Sequence, residues 1–372
     1  MSDAHPSGRE YGRLVFLLGC VLALVVAASL LPALTTPLGP SPIESLLPTQ
    51  GSGPGGSGGG LGALDPGDST QVGGLESGAS ALRSQSAETH FVVQSTEAAY
   101  WRTGAYGQYT GGGWERTGGT TAYDGSVRVD GLADRRVTYR VELERSATAL
   151  PTVWRPRTID TDAAVGVTEQ RALTTSSPVD AGTTYAATSV RPPRTPDVLA
   201  GAGTNYPTAV RERYTQLPAS TPDRLGQFTA DLTSESESPY ETATRIERWL
   251  EANKSYSLNV SAPGGDSVAS DFVFEMDEGY CEYFATSMVA MLRTQGVPAR
   301  YVVGYSTGQQ TGANTYTVRG MNAHAWVEVY FPDVGWVRFD PTPGQERLDA
   351  EADALDRQRP DAGDYDHTEE GS

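Results

Sequence analysis

The spacing of hydrophobic and polar positions changes several times along this chain of 372 residues. Leu14 to Leu34 form an apolar run without a charge, and such a run is long enough to cross a hydrocarbon core of about 30 Å. Residues 35–86 are rich in Gly, Ser and Pro and contain too few apolar residues to build a core. The pattern therefore predicts a transmembrane helix over 14–34, followed by a flexible linker over 35–86.

The flanking charges orient this predicted span. Arg9 and Arg13 precede it, and no Lys or Arg follows it before Arg83. The positive-inside rule then places residues 1–13 in the cytoplasm and the rest of the chain outside the cell. A cleaved signal peptide and a lipoprotein modified at Cys20 are the alternatives. We predict a single-pass protein of the cell membrane, and all three readings place the bulk of the chain outside the cell.

Residues 87–196 show the alternation that is typical of strands. The segments RRVTYRVELERS and TTYAATSV alternate apolar and polar positions, and Gly, Asp and Pro punctuate the region. We predict an all-β, sandwich-like domain here. Five aromatic residues in this region form either a surface that binds sugar or peptide or ordinary internal packing: Tyr100, Trp101, Tyr106, Tyr109 and Trp114.

The pattern becomes mixed after residue 196. A linker over 197–220 precedes two helical patterns at 221–234 and 238–253, the second of which opens at Ser238, a potential N-cap. The segment SYSLNV then has the pattern of a short strand. We predict an α+β domain over 221–345. The last residues, 346–372, are acidic and poor in aromatic residues, and we predict that they are disordered.

The charged residues of the chain indicate which kinds of molecule it is unlikely to bind. The net charge is −18, and Lys254 is the only lysine. Excess acid with little lysine suits very high salt, which favours an origin in a halophile, and in particular an archaeon. The alternative is an acidic surface kept soluble by its charge. In both cases we expect no nucleic-acid partner, because nothing in the chain would neutralise phosphates.

Cysteine is scarce, which limits what the two thiols can do. Cys20 lies in the apolar run and Cys281 in the α+β region, so we expect neither a disulfide framework nor a zinc cluster, and no metal or other cofactor. The residues after Cys281 have a helical pattern that stops at Gly296. Cys281 would then occupy the first turn, where the helix dipole is expected to lower the pKa of its thiol.

Two further residues complete a possible catalytic set. His324 lies in the alternating segment AHAWVEVYF, and Asp340 ends the segment GWVRFD, just before Pro341. A neutral imidazole can accept a thiol proton, and a carboxylate on the opposite nitrogen fixes the tautomer of the ring. Taken alone, each residue is also explained by a purely structural role: Cys281 as a buried cysteine, His324 as a hydrogen-bonded histidine and Asp340 as an aspartate in a turn. Together they predict a Cys-His-Asp triad.

The segments around these residues resemble the transglutaminase-like superfamily, cysteine enzymes with a papain-like core. The resemblance covers residues 240–345 and rests on GYCEYFAT, LRTQGVPARYVVGY, NAHAWVEVYF and GWVRFDPTP. It implies a nucleophile at Cys281, a base at His324 and an orienting acid at Asp340. It also implies that the Cys helix packs against a small antiparallel sheet that carries the other two residues.

The upstream segment YWRTGAYGQYTGGGW resembles the extracytoplasmic β-domain of membrane-bound transglutaminase-like proteins of the TgpA type. Such proteins often carry several spans before this domain and another after the core, whereas a single span is predicted here. The resemblance therefore leaves two interpretations open, a reduced member of the group or a fragment of a split gene.

The expected chemistry is acyl transfer through a thioester on amides of an extracellular protein or peptide. The backbone N–H of Cys281 is a natural oxyanion donor, and we select Tyr256 as the second. Water as the acceptor gives a protease or amidase, and an amine gives a transglutaminase; the scarcity of lysine slightly favours hydrolysis. The alternative is a non-catalytic surface module that keeps the fold for binding or assembly. Any membrane partner stays unidentified.

Overall fold

The computed structural model describes residues 64–73, 81–128, 130–261, 265–362 and 365. The predicted membrane span over 14–34 and most of the predicted linker lie outside these residues. Within the described part of the chain, no helix is both long enough and apolar enough to cross a membrane.

The first half of the described chain consists of strands, as its alternating pattern predicts. They are β1 Ser69–Gln71, β2 Thr89–Ser95, β3 Trp101–Tyr106, β4 Gln108–Tyr109, β5 Gly113–Glu115, β6 Thr120–Ala122, β7 Arg135–Leu143, β8 Ala147–Leu150, β9 Pro156–Asp160, β10 Val165–Thr168, β11 Leu173–Val179 and β12 Thr184–Arg191. A 3₁₀ turn at Ala81–Arg83 precedes β2.

The second half is mixed. Its helices are α1 Pro196–Ala200, α2 Thr208–Tyr214, α3 Asp223–Leu232, α4 Pro239–Asn253, α5 Val268–Glu275, α6 Cys281–Thr294 and α7 Gly344–Gln358. Its strands are β13 Ser255–Tyr256, β14 Glu278–Gly279, β15 Ala299–Tyr305, β16 Gln309–Gly312, β17 Thr315–Arg319, β18 Ala323–Phe331 and β19 Gly335–Phe339. A 3₁₀ turn at Gly320–Asn322 leads directly into β18.

Two sheets join the regions that the sequence pattern treats as separate domains. A four-stranded sheet has the order β19-β18-β15-β3, so β3 from the first half completes the sheet of the second. A six-stranded sheet has the order β16-β17-β2-β7-β12-β9, which places β16 and β17 from the second half beside strands of the first. Both sheets therefore contain strands from both of the predicted domains, 87–196 and 221–345. Alternation predicts strands but not their partners, which is why sequence reasoning missed this exchange.

Helix α6 is the centre of the hydrophobic core. Residues Cys281–Arg293 of this helix are all buried, and the helix packs against α3, α4 and α5 and against strands β15 and β18. The apolar face of the helix, which includes Phe284 and Met288, is fully buried. The opposite face is buried as well, because helices cover one side of α6 and the sheet covers the other. The position of Cys281 is thus fixed by a fully enclosed helix.

Helix α4 follows its sequence signals closely. The hydroxyl of Ser238 accepts a hydrogen bond from the backbone N–H of Glu241, so Ser238 is the N-cap as predicted. Ala243, Ile246 and Leu250 are fully buried. Trp249, which has the same helical spacing, is half-buried. The predicted helix over 238–253 is confirmed.

Two other predictions are wrong in detail. The predicted linker over 197–220 contains most of α1 and all of α2. The predicted disordered tail begins inside α7, which buries Leu348 and Leu355, seven residues apart on one face. A buried Arg347–Glu351 ion pair joins consecutive turns of the same helix. The acidic composition of the segment favoured disorder, so the helical spacing of Leu348 and Leu355 was overlooked.

Candidate active site

Cys281 is the first residue of α6. Tyr280 precedes it in an extended conformation (φ −120°, ψ 176°), and Gly296 follows the helix with φ +71°. A left-handed glycine just beyond the last turn is a common helix stop. The prediction that Cys281 lies in the first helical turn is confirmed. Its backbone N–H is one of those that a helix leaves without an intrahelical acceptor.

Strands β18 and β19 bring His324 and Asp340 together. They pair antiparallel with Val327 opposite Phe339, so the beginning of β18 lies beside the end of β19. His324 is the second residue of β18, and Asp340 directly follows β19. His324 Nε2 lies 2.7 Å from Asp340 Oδ2. This nitrogen is therefore held by the carboxylate, and Nδ1 is the one left to exchange a proton.

The imidazole is enclosed by aromatic rings. His324 is 1% exposed, and its ring lies edge-on to Tyr100, with centroids 5.6 Å apart. The ring of Trp326 stacks on the imidazole, with ring centroids 6.3 Å apart. His324 Nδ1 is buried and has no hydrogen-bond partner within the described residues. The ring thus has a fixed orientation and one unsatisfied nitrogen.

Asp340 lies in a dense hydrogen-bond network. Its Oδ2 accepts a bond from the hydroxyl of Tyr100 at 2.8 Å, and its Oδ1 accepts one from the backbone N–H of Thr342 at 3.2 Å. Its own backbone N–H donates to Glu247 Oε1 at 2.9 Å. Burial raises the pKa of Asp340, but the attraction and hydrogen bond to His324 outweigh it and hold the pKa well below its usual range. Asp340 is therefore a carboxylate at any physiological pH.

The turn before His324 is anchored by α7. Asn322 accepts a hydrogen bond from the backbone N–H of Arg319 at 2.8 Å. Its amide nitrogen donates to Glu351 at 2.8 Å and to the hydroxyl of Tyr365 at 2.6 Å. The segment that the sequence assigns to a disordered tail therefore supports the strand that carries the imidazole.

The thiol of Cys281 lies next to the histidine strand. The backbone of Ala325, which follows His324, hydrogen-bonds the sulfur and favours the thiolate. Burial and the charge of Glu282 act in the opposite direction and raise the pKa of the Cys281 thiol well above its usual value. The expectation of a lowered pKa is thus wrong for this structure. A helix dipole supplies about 0.3–1 kcal/mol at an exposed site, whereas full burial shifts a pKa by as much as 3–5 units.

Tyr256 lies near the thiol, on a strand of only two residues. β13 pairs parallel to β14, with Tyr256 opposite Gly279, two residues before Cys281. Burial raises the pKa of the Tyr256 hydroxyl well above its usual value, and a thiolate at Cys281 would raise it further, so the hydroxyl stays a proton donor. Its backbone N–H donates to Glu346, at the start of α7. Its role as an oxyanion donor stays a prediction.

Sequence reasoning missed Tyr100, Glu247 and Glu282 as members of the site. All five aromatic residues from Tyr100 to Trp114 named above are buried, which supports the packing interpretation. A signal was available for Tyr100, since a buried tyrosine hydroxyl requires a partner. Glu247 also stood out, because it adjoins the apolar stripe of α4. Neither signal indicated that the partner would be Asp340.

Comparison with known proteins places this architecture in a family. A family model described as the TgpA N-terminal domain matches residues 2–196, more than half of the chain. The chain belongs to this family. The model of the transglutaminase-like superfamily matches residues 226–341 of the same chain, the region that contains Cys281, His324 and Asp340. This TgpA-family chain is thus also a member of a superfamily of cysteine enzymes.

Individual relatives cover parts of the TgpA-family chain. It is 41% identical over 141 residues to the uncharacterized protein YebA of Bacillus subtilis, which is 36% of this chain and 19% of that protein. It is 34% identical over 149 residues to the protein-glutamine gamma-glutamyltransferase of Pseudomonas aeruginosa, which is 37% of this chain and 22% of that protein. The chain thus spans about a fifth of the length of these curated relatives. An archaeal, halophilic origin stays a prediction.

A solved structure shares the fold. The crystal structure of the periplasmic domain of TgpA from Pseudomonas aeruginosa aligns with a TM-score of 0.62 and 24% identity, covering 77% of this chain and 97% of that chain. The predicted transglutaminase-like fold of mixed helices and strands is therefore confirmed for this TgpA-family chain.

Proposed function

We propose that this chain is an extracytoplasmic cysteine enzyme that transfers acyl groups from protein or peptide amides through Cys281, His324 and Asp340. The observation that carries the proposal is the buried imidazole, which is held on Nε2 by Asp340 at 2.7 Å and has no partner on Nδ1 within the described residues. A histidine fixed in this way beside the first residue of a helix is suited to accept and return one proton.

The proposed reaction has two steps. The Cys281 thiol gives its proton to His324 Nδ1, and the sulfur attacks the amide carbonyl carbon. The oxyanion is stabilised by the backbone N–H of Cys281 and, in this proposal, by the hydroxyl of Tyr256. The C–N bond then breaks, the amine leaves with the proton from His324, and a thioester remains. Water or a second amine attacks this thioester and regenerates the thiol.

The acyl donor that we favour is a glutaminyl side chain. One relative bears the name protein-glutamine gamma-glutamyltransferase, which supports a glutamine amide as the bond that is broken. The scarcity of lysine in this chain, with Lys254 alone, favours water over a lysine amine as the acceptor. The solved TgpA domain is described as periplasmic, which supports a location outside the cytoplasm. Anchoring in the membrane rests on the apolar run over residues 14–34 alone.

A second candidate function is a non-catalytic surface module with the same fold. The specific observation that favours it is the burial of Cys281, which is 1% exposed and whose thiol has a raised pKa. A substrate carbonyl reaches this sulfur only after the surrounding side chains move. The two candidates therefore differ in whether the thiol reacts in the folded protein.

Alkylation of the thiol separates the two candidates. In a Cys20→Ser background, Cys281 is the only thiol of the full chain, and its rate of reaction with iodoacetamide is measured against pH with and without His324→Ala. An enzyme should react well below pH 8 and lose this reactivity in the variant. A module should react slowly, with an ordinary thiol pKa of about 8.5 or above, in both proteins.

Product analysis then identifies the reaction. The full chain is incubated with a glutaminyl peptide, with and without hydroxylamine, and the products are analysed by mass spectrometry. Conversion of Gln to Glu with release of ammonia indicates an amidase. A hydroxamate indicates transfer to amines, and two shorter peptides indicate a protease. Cys281→Ala should abolish each product, and a product that survives this change would contradict the proposed nucleophile.

A further inference from the structure

A small arginine-rich cavity lies on the face of the sheet that carries His324. Its volume is about 40 Å³. The charged residues that line it are Arg102, Arg191, Arg194, Arg338 and Glu328. The chain as a whole has a net charge of −18, so a lining with four guanidinium groups and one carboxylate is opposite in sign to the overall charge, although Arg191 also pairs with Glu97 at 3.7 Å outside the lining.

Glu328, the one carboxylate of the lining, pairs with two arginines, of which Arg102 lines the cavity and Arg300 does not. Arg102 Nε lies 3.1 Å from Glu328 Oε1, and Arg300 Nε lies 2.6 Å from Glu328 Oε2. The side chains of all three residues are between 0 and 3% exposed. Two buried cations thus share one buried anion, and a buried charge without a counter-charge is costly.

One guanidinium nitrogen at the cavity wall is unsatisfied. Arg102 Nη2 donates to the carbonyl of Gln170 at 2.8 Å. Arg102 Nη1 is buried and has no hydrogen-bond partner within the described residues. A buried donor without an acceptor costs about 1–3 kcal/mol, and more when it is charged. An anion in the cavity would supply both the missing acceptor and the missing negative charge.

The size of the cavity limits the anion. A water molecule needs about 10–15 Å³ of such volume, so 40 Å³ accommodates about three non-hydrogen atoms. This is the size of a carboxylate group. A carboxylate is also the planar acceptor that best matches the fork of an arginine.

The cavity shares two walls with the imidazole. Tyr100 and Trp326 both line it, and both rings contact His324. On β18, His324, Trp326 and Glu328 alternate on one face, with about 7 Å between successive members. A group bound beside Glu328 and Trp326 would lie within one or two residues of a peptide held at the catalytic residues.

The structure assigns this cavity as a subsite for a carboxylate group of the substrate, either an acidic side chain or a free C-terminus. Its role as a subsite rests on the proposed function, whereas the binding of a carboxylate does not. Arg194 is exposed and Arg102 is buried, so the cavity runs inward from the surface to Glu328. The guanidinium of Arg338, which lines the cavity, lies 3.8 Å from the ring centroid of Tyr100. Tyr100 donates a hydrogen bond to Asp340, so the cavity adjoins the hydrogen-bond network of Asp340.

The test measures binding without turnover. The full chain carrying Cys281→Ala is titrated with sodium acetate at constant ionic strength, and acetamide serves as the uncharged control. Tryptophan fluorescence reports occupancy, because Trp154 and Trp326 line the cavity, and calorimetry gives the affinity. We expect saturable binding of acetate and none of acetamide. Equal responses to both compounds, or an acetate response that does not saturate, would overturn the assignment.

Matched arginine substitutions localise the binding. Arg338→Gln should weaken acetate at least tenfold, and Arg194→Gln should weaken it by a smaller factor. Arg194 is exposed, so this second variant should fold even if the first is destabilised. Arg136→Gln, an exposed position of β7 outside the cavity, should bind as the parent does. Acetate binding that neither cavity variant reduces would exclude this site.

Two competing peptides identify the source of the carboxylate. One has an internal Glu and an amidated C-terminus, and the other has no acidic side chain and a free C-terminus. Displacement of acetate by the first supports an acidic side chain, and displacement by the second supports a C-terminus. If acetate binds but neither peptide displaces it, the site takes a small free anion and the substrate assignment fails. Because Cys281 is absent throughout, these results stand whether or not the proposed enzyme activity is found.

Discussion

The candidate site has a base half, formed by His324 and Asp340, and a nucleophile half, formed by Cys281 and its neighbour Glu282. The two halves differ in how their surroundings affect the groups that are to react. In the base half, Asp340 fixes Nε2 of His324 at 2.7 Å and is itself held by Tyr100. In the nucleophile half, burial and Glu282 raise the pKa of the Cys281 thiol. Asp340 is therefore a carboxylate, whereas the environment of Cys281 favours the neutral thiol. For the proposed enzyme, we therefore expect deprotonation of Cys281, rather than orientation of His324, to limit the reactivity of the site.

The two halves also differ in how the chain builds them. The base half draws on three distant segments, since Tyr100 precedes β3, Glu247 lies in α4 and Asp340 follows β19. The nucleophile half comes from one short stretch, which runs from Glu278 in β14 to Glu282 in the first turn of α6. A site assembled from distant segments depends on the whole fold, whereas a local one depends on its immediate neighbours. Substitutions in the two halves should therefore fail in different ways.

The largest effect is expected from Asp340→Asn. An amide has no negative charge to stabilise the imidazolium, and its NH₂ group can face Nε2 in place of the oxygen and so favour the wrong tautomer. The equivalent change in a serine triad costs about 10⁴-fold in kcat. We expect kcat/KM for a glutaminyl peptide to fall by about 10³–10⁴-fold, with little change in the folding temperature. Steady-state kinetics and thermal unfolding of the same preparation measure both quantities.

Asp333→Asn provides the matched control. Asp333 is exposed in the turn between β18 and β19 and has φ +62°, a conformation that Asn also accepts. It should leave kcat/KM unchanged. A loss of less than tenfold in Asp340→Asn would remove this residue from the proposed mechanism.

A smaller effect is expected from Tyr100→Phe. This change removes the hydroxyl that donates to Asp340 at 2.8 Å and preserves the ring beside His324. A hydrogen bond to a charged group contributes about 1.5–3 kcal/mol, part of which the remaining bonds of Asp340 can replace. We expect kcat/KM to fall by about tenfold, and the lower limb of its pH profile to move downward, because a carboxylate that is held less firmly stabilises the imidazolium less.

The control is Tyr109→Phe, which removes an equally buried hydroxyl whose acceptor is the backbone carbonyl of Gly111. It should cost stability without changing the pH profile. If the two variants lose activity equally and in proportion to their loss of stability, Tyr100 is a packing residue only.

The nucleophile half should respond in the opposite direction to Glu282→Gln. Glu282 is fully buried, and its charge raises the pKa of the neighbouring thiol. Removing that charge while preserving the shape of the side chain should lower the thiol pKa. In the Cys20→Ser background, we expect iodoacetamide to react several-fold faster at pH 7–8. Glu278→Gln, at an exposed position of β14, should leave the rate unchanged. An unchanged or slower rate in Glu282→Gln would show that Glu282 does not hold the thiol neutral.

The parts of the molecule that sequence reasoning predicted are those encoded locally. The helix that begins at Cys281 and stops at Gly296, the cap at Ser238 and the strand that carries His324 each depend on neighbouring residues. The pairing of β3 with β15 was not predicted, because register between distant strands leaves no pattern in either strand. That pairing brings Tyr100 to Asp340.

The error in the thiol pKa has a related origin. The dipole of α6 can be inferred from the sequence, but the burial of both faces of the helix depends on helices and strands from elsewhere in the chain. The two effects oppose each other, and the larger one is the non-local one. The helix in the acidic C-terminal segment was missed for a simpler reason, since charge was given more weight than the spacing of Leu348 and Leu355.

The smallest expected effect concerns stability in the base half. Burial, with the negative charges of Glu251 and Asp340, raises the pKa of Glu247 to about 7 despite the hydrogen bond from the backbone N–H of Asp340. Because this value lies above the unfolded value of about 4.3, the protonated carboxyl stabilises the fold fully below about pH 4, and this contribution is lost as the pH rises through 7. Glu247→Gln mimics the protonated form and keeps the acceptor oxygen, so its Tm should exceed that of the parent by an increment that grows from pH 5 to pH 8 and reaches a few degrees. Glu212→Gln, at an exposed position of α2, should show no such trend. A Tm difference that is constant across this range would mean that Glu247 is ionised in the folded protein throughout, and that the carboxylates of Glu247 and Asp340 tolerate each other's charge.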